Sequence, residues 1–219
     1  MDLFDIIGPI MTGPSSSHTA GAARIGFVAR EILGEEPARA VILLHGSFAD
    51  TYRGHGTDRA IIAGLMGMQV DDARIRDSLT IARESGLQFE FRTVELEDAH
   101  PNTAIIRVTG KSGVIISVQA SSVGGGAIRI DRIDDMAVSF RVSQDTIVIR
   151  HRDTPGVIAA VSAGIARHGV NIATMQVFRT CEGGEAIMAI EVDAPVSDEL
   201  KSELMQGDHV HMVACMRKF

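Results

Sequence analysis

Residues 146–172, TIVIRHRDTPGVIAAVSAGIARHGVNI, carry the clearest fold signal in the chain. Their first five residues form a β-branched run that predicts a strand. Thr154 is suited to cap the helix that follows, and Pro155 to occupy its first position, where a missing N–H group costs nothing. Apolar side chains then recur at four-residue spacing, at Val157, Val161 and Ile165. The segment therefore predicts a strand, an amphipathic helix and the start of a second strand.

The residues that follow complete this unit. Strand patterns cover residues 172–179, 185–192 and 209–216, and Ser197 is placed to cap a second helix before the last of them. The order βαββαβ over about 70 residues predicts a ferredoxin-like domain at residues 146–219.

The preceding part, residues 1–143, predicts a mixed α/β domain. Helical patterns cover residues 19–33, 57–66 and 72–84, and strand patterns cover residues 40–44, 89–95, 102–109, 114–121, 127–133 and 136–141. The chain as a whole is therefore expected to be of the α+β class, with two domains and a short linker.

Composition excludes several classes of function. The net charge of -7 and the scattered Lys and Arg residues disfavour nucleic acid and membrane surfaces. The acidic start lacks the features of a signal peptide, and no stretch approaches the roughly 18 apolar residues of a membrane span, so we expect a cytoplasmic protein. Cys181 and Cys215 are too few to hold an iron–sulfur cluster, which usually takes four thiolates.

The segment Gly13–Thr19, GPSSSHT, places hydroxyls and an imidazole directly before a predicted helix. A helix N-terminus binds carboxylates and phosphates, and a histidine can carry a proton near neutral pH. The alternative is an ordinary capped helix after a turn. The candidate site residues here are Ser15, Ser16, Ser17, His18 and Thr19.

Two further histidine segments lie at predicted strand ends or helix starts. One is His45-Gly46-Ser47, after a strand, and the other is His55-Gly56-Thr57-Asp58, which opens a helix. Ligands gather at such positions in α/β architectures, so we expect these segments to form one polar pocket with the Ser15–Thr19 loop. The alternative is a set of separate surface caps. The spacing lacks an HExxH motif, so we expect no metal site.

Three consecutive glycines, Gly124, Gly125 and Gly126, follow another predicted strand. They suit either an anion-binding nest or a plain turn between strands. They lack GxGxxG spacing and a following helix, which excludes dinucleotide binding.

Several of these segments together resemble a known family. Residues 13–19, 46–58 and 122–128 are similar to the three signature segments of the β subunit of iron–sulfur L-serine dehydratase. Residues 153–157, DTPGV, resemble the ACT-domain signature, and Asn171-Ile172 lies where that family begins its second strand. Tyr52 stands where the dehydratase pattern has a glycine.

The resemblance implies an activity and a partner. Family members convert L-serine to pyruvate and ammonia with a 4Fe-4S cluster whose cysteines belong to a separate α subunit. The N-terminal domain resembles the allosteric substrate-binding domain of some phosphoglycerate dehydrogenases. A purely regulatory module and an independent hydrolase are the alternatives.

The resemblance and the residue chemistry together assign expected roles. The proton-carrying candidates are His18, His45 and His55, and the substrate-binding candidates are Ser15, Ser16, Ser17, Thr19, Ser47, Thr57, Asp58, Gly124 and Gly125. Whether they complete an active site or form a serine-sensing site is open. The ACT unit is expected to form a homodimer and to bind an amino acid or similar effector at Asp153, Pro155, Gly156, Asn171 and Ile172.

Overall fold

The computed structural model describes Met11 and residues 13–219, and the chain divides into two units between Asp135 and Met136. The helices and helical turns of the first unit are a π-helical turn (Ser16–Gly21), α1 (Ala22–Leu33), α2 (Ser47–His55), α3 (Thr57–Leu65), a 3₁₀ turn (Ala73–Asp77) and α4 (Ser78–Glu84). Its strands are β1 (Pro37–Leu44), β2 (Gln88–Thr93), β3 (Thr103–Gly110), β4 (Ile115–Gly124) and β5 (Ala127–Ile133).

The strands of the first unit form a mixed sheet in the order β2-β1-β3-β4-β5. β1 pairs in parallel with β2 and antiparallel with β3, and the remaining neighbours are antiparallel. Helix α1 packs on β3 and β4, and α3 packs on α1. The core between these layers contains alternate residues of the central strands, among them Ile42, Ile106 and Val118.

Glycines allow α1 and α3 to pack with their backbones in contact. A Cβ atom added at Gly64 would lie 2.0 Å from the carbonyl oxygen of Ala23, and one added at Gly26 would lie 2.2 Å from that of Ile61. Arg30 Nη1 also donates to the carbonyl oxygen of Leu65 at 2.9 Å. The two helices therefore tolerate no side chain at these two positions.

The second unit contains β6 (Met136–Arg141), β7 (Asp145–Arg152), α5 (Val157–Arg167), β8 (Ile172–Arg179), β9 (Glu185–Val192), α6 (Asp198–Met205) and β10 (Val210–Met216). From β7 onward the order is βαββαβ, and the four strands form an antiparallel sheet in the order β10-β7-β9-β8. Buried apolar residues of both helices and the sheet form its core, among them Ile149, Val161, Ile190 and Leu204. The predicted α+β class and ferredoxin-like unit are confirmed.

The structure departs from the sequence-based predictions at the start of α5 and at α2. Helix α5 begins at Val157 after Gly156, whose φ of 94° turns the chain in the left-handed region, so the predicted Thr154 cap is wrong. Ser197 does cap α6, accepting from the N–H group of Leu200 at 3.2 Å, as predicted. Helix α2 was not anticipated, because its short sequence SFADTYRGH has little apolar periodicity.

No helix among the described residues is long and apolar enough to cross a membrane.

We expect Gly64→Ala to destabilise the protein by about 1–3 kcal/mol, because the new methyl group would force α1 and α3 apart. The measurement is urea unfolding followed by circular dichroism. Gly54→Ala in α2 is the matched control, since nothing lies within 4 Å of its added Cβ atom. The control should unfold at the same urea concentration or higher. Equal destabilisation of both variants would contradict the close-packing argument.

Candidate functional site: a histidine pair on a π-helical turn

The GPSSSHT segment folds into a π-helical turn that leads directly into α1. Ser15 caps this turn, and its Oγ atom accepts from the main-chain N–H group of His18 at 3.2 Å. Thr19 is buried beneath it, and a Cβ atom added at Gly13 would lie 2.4 Å from Thr19 Oγ1. Gly13 therefore lets the chain pass directly over Thr19, while Ser16 and Ser17 stay half-buried. Single π-helical turns occur frequently at functional sites.

Helix α2 brings two more of the predicted residues to His18. Ser47 is its first residue, and its Oγ atom lies 3.1 Å from His18 Nε2. His55 is its last residue, and the rings of His18 and His55 are 4.9 Å apart between centroids. Gly46 makes the sharp entry to α2 possible, because it has a φ of 55° and an added Cβ atom there would lie 2.7 Å from Pro101 O.

Each ring nitrogen of His18 has a hydroxyl partner. Ser15 Oγ lies 3.3 Å from Nδ1, and Ser47 Oγ lies 3.1 Å from Nε2. A hydroxyl can donate or accept, so the two serines satisfy the neutral ring in either tautomer. The arrangement can therefore accept a proton at one ring nitrogen while the other remains hydrogen-bonded.

The surroundings of His18 favour its neutral form. Burial lowers the pKa of His18, the nearby charge of His55 lowers it further, and a hydrogen bond with the main chain of Ser47 acts in the opposite direction. The edge of the fully buried Phe48 ring meets the imidazole at a centroid distance of 5.3 Å. Sequence reasoning missed Phe48, because its role depends on the unanticipated helix α2.

His45 lies in a different cleft from this pair. The N–H group of Leu96 donates to His45 Nδ1 at 3.2 Å, which anchors the ring to the segment after β2. The cleft is lined by residues 45, 46, 49, 50 and 93–96. The structure therefore gathers His18, Ser47 and His55 but holds His45 apart from them.

The remaining predicted residues of the first unit surround the same region. Thr57 is fully buried at the start of α3, and its hydroxyl has no partner among the described residues. Asp58 accepts from the main-chain N–H group of Arg59 at 2.8 Å, and burial raises the pKa of the Asp58 carboxyl.

Gly124 ends β4 and Gly125 begins the turn to β5, with φ values of 107° and 59°. Arg24 Nη1 of α1 donates to the carbonyl oxygen of Gly126 at 2.6 Å. Two residues before Gly124, Ser122 Oγ lies 2.1 Å from where a Cβ atom would stand on Gly21. The π-helical turn therefore packs directly against β4.

The predicted effector residues of the second unit lie at opposite ends of α5. Asp153 Oδ2 accepts from Arg179 Nη1 at 3.0 Å, and Pro155 and Gly156 are exposed before the helix. Asn171 Nδ2 donates to Asp193 Oδ2 at 2.6 Å after the helix, and Ile172 begins β8. Helix α5 has 11 residues, a length of about 16 Å at the usual rise per residue. One copy of the unit therefore does not bring the two segments together.

The thiols of this chain do not fit an iron–sulfur cluster. Cys181 is exposed and Cys215 is half-buried, and neither forms a disulfide bond. Among the residues that the structure describes, no group of three or more His, Cys, Asp or Glu side chains could hold a metal ion.

Comparison with known proteins gives matches over nearly the whole chain. The family model described as serine dehydratase beta chain matches residues 1–132, and the ACT domain model matches residues 146–206. The chain is 44% identical over 211 residues to the probable L-serine dehydratase beta chain of Bacillus subtilis, covering 96% of each protein. It is 39% identical over 203 residues to the L-serine dehydratase beta chain of Peptoniphilus asaccharolyticus, covering 92% of this chain and 91% of that protein.

A second group of similar proteins consists of D-3-phosphoglycerate dehydrogenases. The D-3-phosphoglycerate dehydrogenase of Bacillus subtilis is 29% identical over 184 residues, which are 84% of this chain and 35% of that protein.

We expect His18 to titrate below the ordinary histidine pKa in NMR spectra of its ring protons. His55→Gln should raise the pKa of His18, because it removes a neighbouring positive charge. A depressed folded-state pKa means that the unfolded state binds more protons, so this group's contribution to stability is lost as pH falls below the ordinary histidine pKa. His168→Gln, in the second unit, should leave His18 unchanged. An unshifted His18 in the His55 variant would refute the coupling.

Proposed function

The chain belongs to the serine dehydratase beta chain family and carries an ACT domain, and we propose that it works as the β subunit of an L-serine dehydratase. The reaction is the β-elimination of L-serine to pyruvate and ammonia, carried out together with an α subunit that bears a 4Fe-4S cluster. This chain's part in the chemistry rests on one observation: His18 of the π-helical turn has two serine partners and lies beside His55 at the end of α2.

The reaction needs a base for the α-proton of L-serine. His18 suits that role, because burial keeps its imidazole neutral and both ring nitrogens have hydroxyl partners. Ser47 extends the hydrogen-bonded chain beyond the ring, and the first turn of α3 offers N–H groups for the substrate carboxylate.

Departure of the β-hydroxyl needs a Lewis acid, and the two thiols of this chain are not arranged to hold a metal cluster that could supply one. We therefore assign the cluster to the α subunit. The absence of a disulfide bond between the two cysteines also fits a reducing cytoplasm, where we place the enzyme.

A purely regulatory role is the second candidate. The similarity to D-3-phosphoglycerate dehydrogenases favours it, since those proteins share most of this chain's length under a different named activity. In that case the histidine pair would sense serine, and the reacting serine would never touch this chain.

Kinetics of the reconstituted two-subunit enzyme separate the two candidates. If His18 contacts the reacting serine, His18→Ala should lower kcat/KM by roughly tenfold or more, and Ser16→Ala should have a smaller effect. A regulatory site predicts a changed saturation curve with the maximal rate retained. His45→Ala is the matched comparison, because its ring lies in another cleft.

The isolated chain serves as the control and should be colourless and inactive on L-serine. Iron and brown colour in that preparation would contradict the assignment of the cluster to the α subunit. Unchanged kinetics in His18→Ala, with unchanged thermal stability, would exclude both candidate roles for His18.

We further propose that the ACT unit pairs with a second copy and binds an amino acid or similar effector. The segments at Asp153–Gly156 and Asn171-Ile172 lie at opposite ends of α5, so a ligand that touches both needs two copies. β8 is an edge strand of the sheet, and Val177 on it is 39% exposed. Edge strands of this kind are available for pairing.

Light scattering of the isolated chain and of the two-subunit enzyme tests the pairing, and calorimetry with L-serine tests the effector site. Val177→Glu should reduce the mass and the L-serine response, because it places a charge on the edge strand. Val114→Glu, at another exposed valine, in the first unit, should change neither. A monomer in both preparations that does not respond to amino acids would contradict this proposal.

A further inference from the structure

A basic cleft opens beside the histidine pair in the first unit. It has a volume of about 170 Å³, and its polar lining residues are Arg53, His55, Arg59, Arg76 and Thr19. No carboxylate lies among its lining residues. The three arginines come from α2, α3 and the 3₁₀ turn, so the fold, rather than one basic run of sequence, brings them together.

These three arginines differ from those arginines of the chain that form ion pairs. Arg74, Arg92 and Arg129 each pair with a carboxylate at 2.6, 2.8 and 2.5 Å. The cleft arginines form no ion pair among the described residues: Arg53 contacts the Tyr52 hydroxyl, and Arg76 donates to the carbonyl oxygen of Ala73. Two carboxyls adjoin cleft arginines in sequence: Asp77 follows Arg76, and Asp58 accepts from the main-chain N–H group of Arg59. The charges of Arg59 and Arg53 act to lower the pKa of Asp58, but neither guanidinium forms a direct ion pair with it. A chain with a net charge of -7 thus keeps three guanidinium groups in one cleft without a direct ion pair among the described residues.

The start of α3 adds main-chain donors to the same cleft. Gly56 lines the cleft and precedes this nine-residue helix, and as a glycine it has no side chain to cap it. The Asp58 carboxylate accepts from the N–H group of Arg59 in the first turn. The other N–H groups of such a turn can bind an anion, and the helix dipole favours negative charge there.

Thr19 provides an independent sign of a ligand. Its side chain is 2% exposed and lines the cleft, and its hydroxyl has no hydrogen-bond partner among the described residues. Buried hydroxyls are nearly always hydrogen-bonded, since leaving one unpaired is costly. A bound acceptor in the cleft would satisfy it.

We propose that this basic cleft binds a small oxyanion, a carboxylate or a phosphate, through Arg53, Arg59, Arg76, the first turn of α3 and the hydroxyl of Thr19. His55 belongs both to the cleft and to the histidine pair, so the oxyanion lies next to His18. The carboxylate of L-serine and free inorganic phosphate are the two sources of this chemistry. The site belongs to this chain alone and does not depend on the dehydratase assignment.

Calorimetry of the isolated chain with inorganic phosphate and with L-serine, at constant ionic strength, tests the site. Saturable binding of at least one is expected. Arg59→Gln and Arg76→Gln should each weaken it by roughly five- to tenfold, because each removes a charge-assisted hydrogen bond. Arg39→Gln on β1 makes the same charge change outside the cleft and should leave the affinity unchanged. Displacement of phosphate by L-serine would identify the carboxylate as an occupant, and phosphate binding without displacement would identify phosphate.

Thr19→Val separates a binding role from a structural one. It removes the hydroxyl and keeps the side-chain shape, so thermal stability should be unchanged or higher while oxyanion affinity falls. The proposal is wrong if neither anion binds saturably, or if Arg39→Gln weakens binding as much as the cleft variants. Because these measurements use the isolated chain, their failure would leave the kinetic test of the dehydratase role intact.

Discussion

The close contact between α1 and α3 determines where the chemical groups of the first unit lie. Gly64 meets Ala23 and Phe27, and Arg30 reaches the carbonyl oxygen of Leu65 at one end of the helix pair. At the other end, residues of the π-helical turn and of the start of α3 line one cleft. The helices therefore run in the same direction, and their two N-terminal turns lie side by side. A side chain at Gly26 or Gly64 would separate the two turns that hold the histidine pair and the cleft.

Sequence reasoning succeeded where local periodicity determines the structure. The ferredoxin-like unit follows from apolar spacing along Val157, Val161 and Ile165 and from β-branched runs, and its core contains those same side chains. The Ser197 cap follows from one residue and its neighbours. The cap at the start of α5 could not be predicted as readily, because it depends on the left-handed conformation of Gly156 rather than on a hydroxyl.

The candidate site was only partly predictable, because its contacts join distant segments. The hydroxyls and the histidine of the GPSSSHT segment predicted a polar site at a helix start. They did not reveal that His18 contacts Ser47, which lies 29 positions later in the sequence. Nothing in the local sequence indicates that the N–H group of Leu96 holds the ring of His45 in a different cleft from His18. The basic cleft was missed for the same reason, since Arg53, Arg59 and Arg76 are not clustered in sequence and belong to three elements. Spacing reveals which residue types can act, whereas long-range packing decides which of them meet.

The histidine pair and the basic cleft are electrostatically linked through His55. The positive charge of His55 helps to lower the pKa of His18, and His55 also lines the cleft. An oxyanion in the cleft would offset that positive charge, and so would raise the pKa of His18 toward its ordinary value. Linkage requires the reciprocal effect: protonation of His18 would strengthen oxyanion binding by the same free energy. Capture of an anionic substrate and acceptance of its proton would then favour each other, because one ring lies between the two groups.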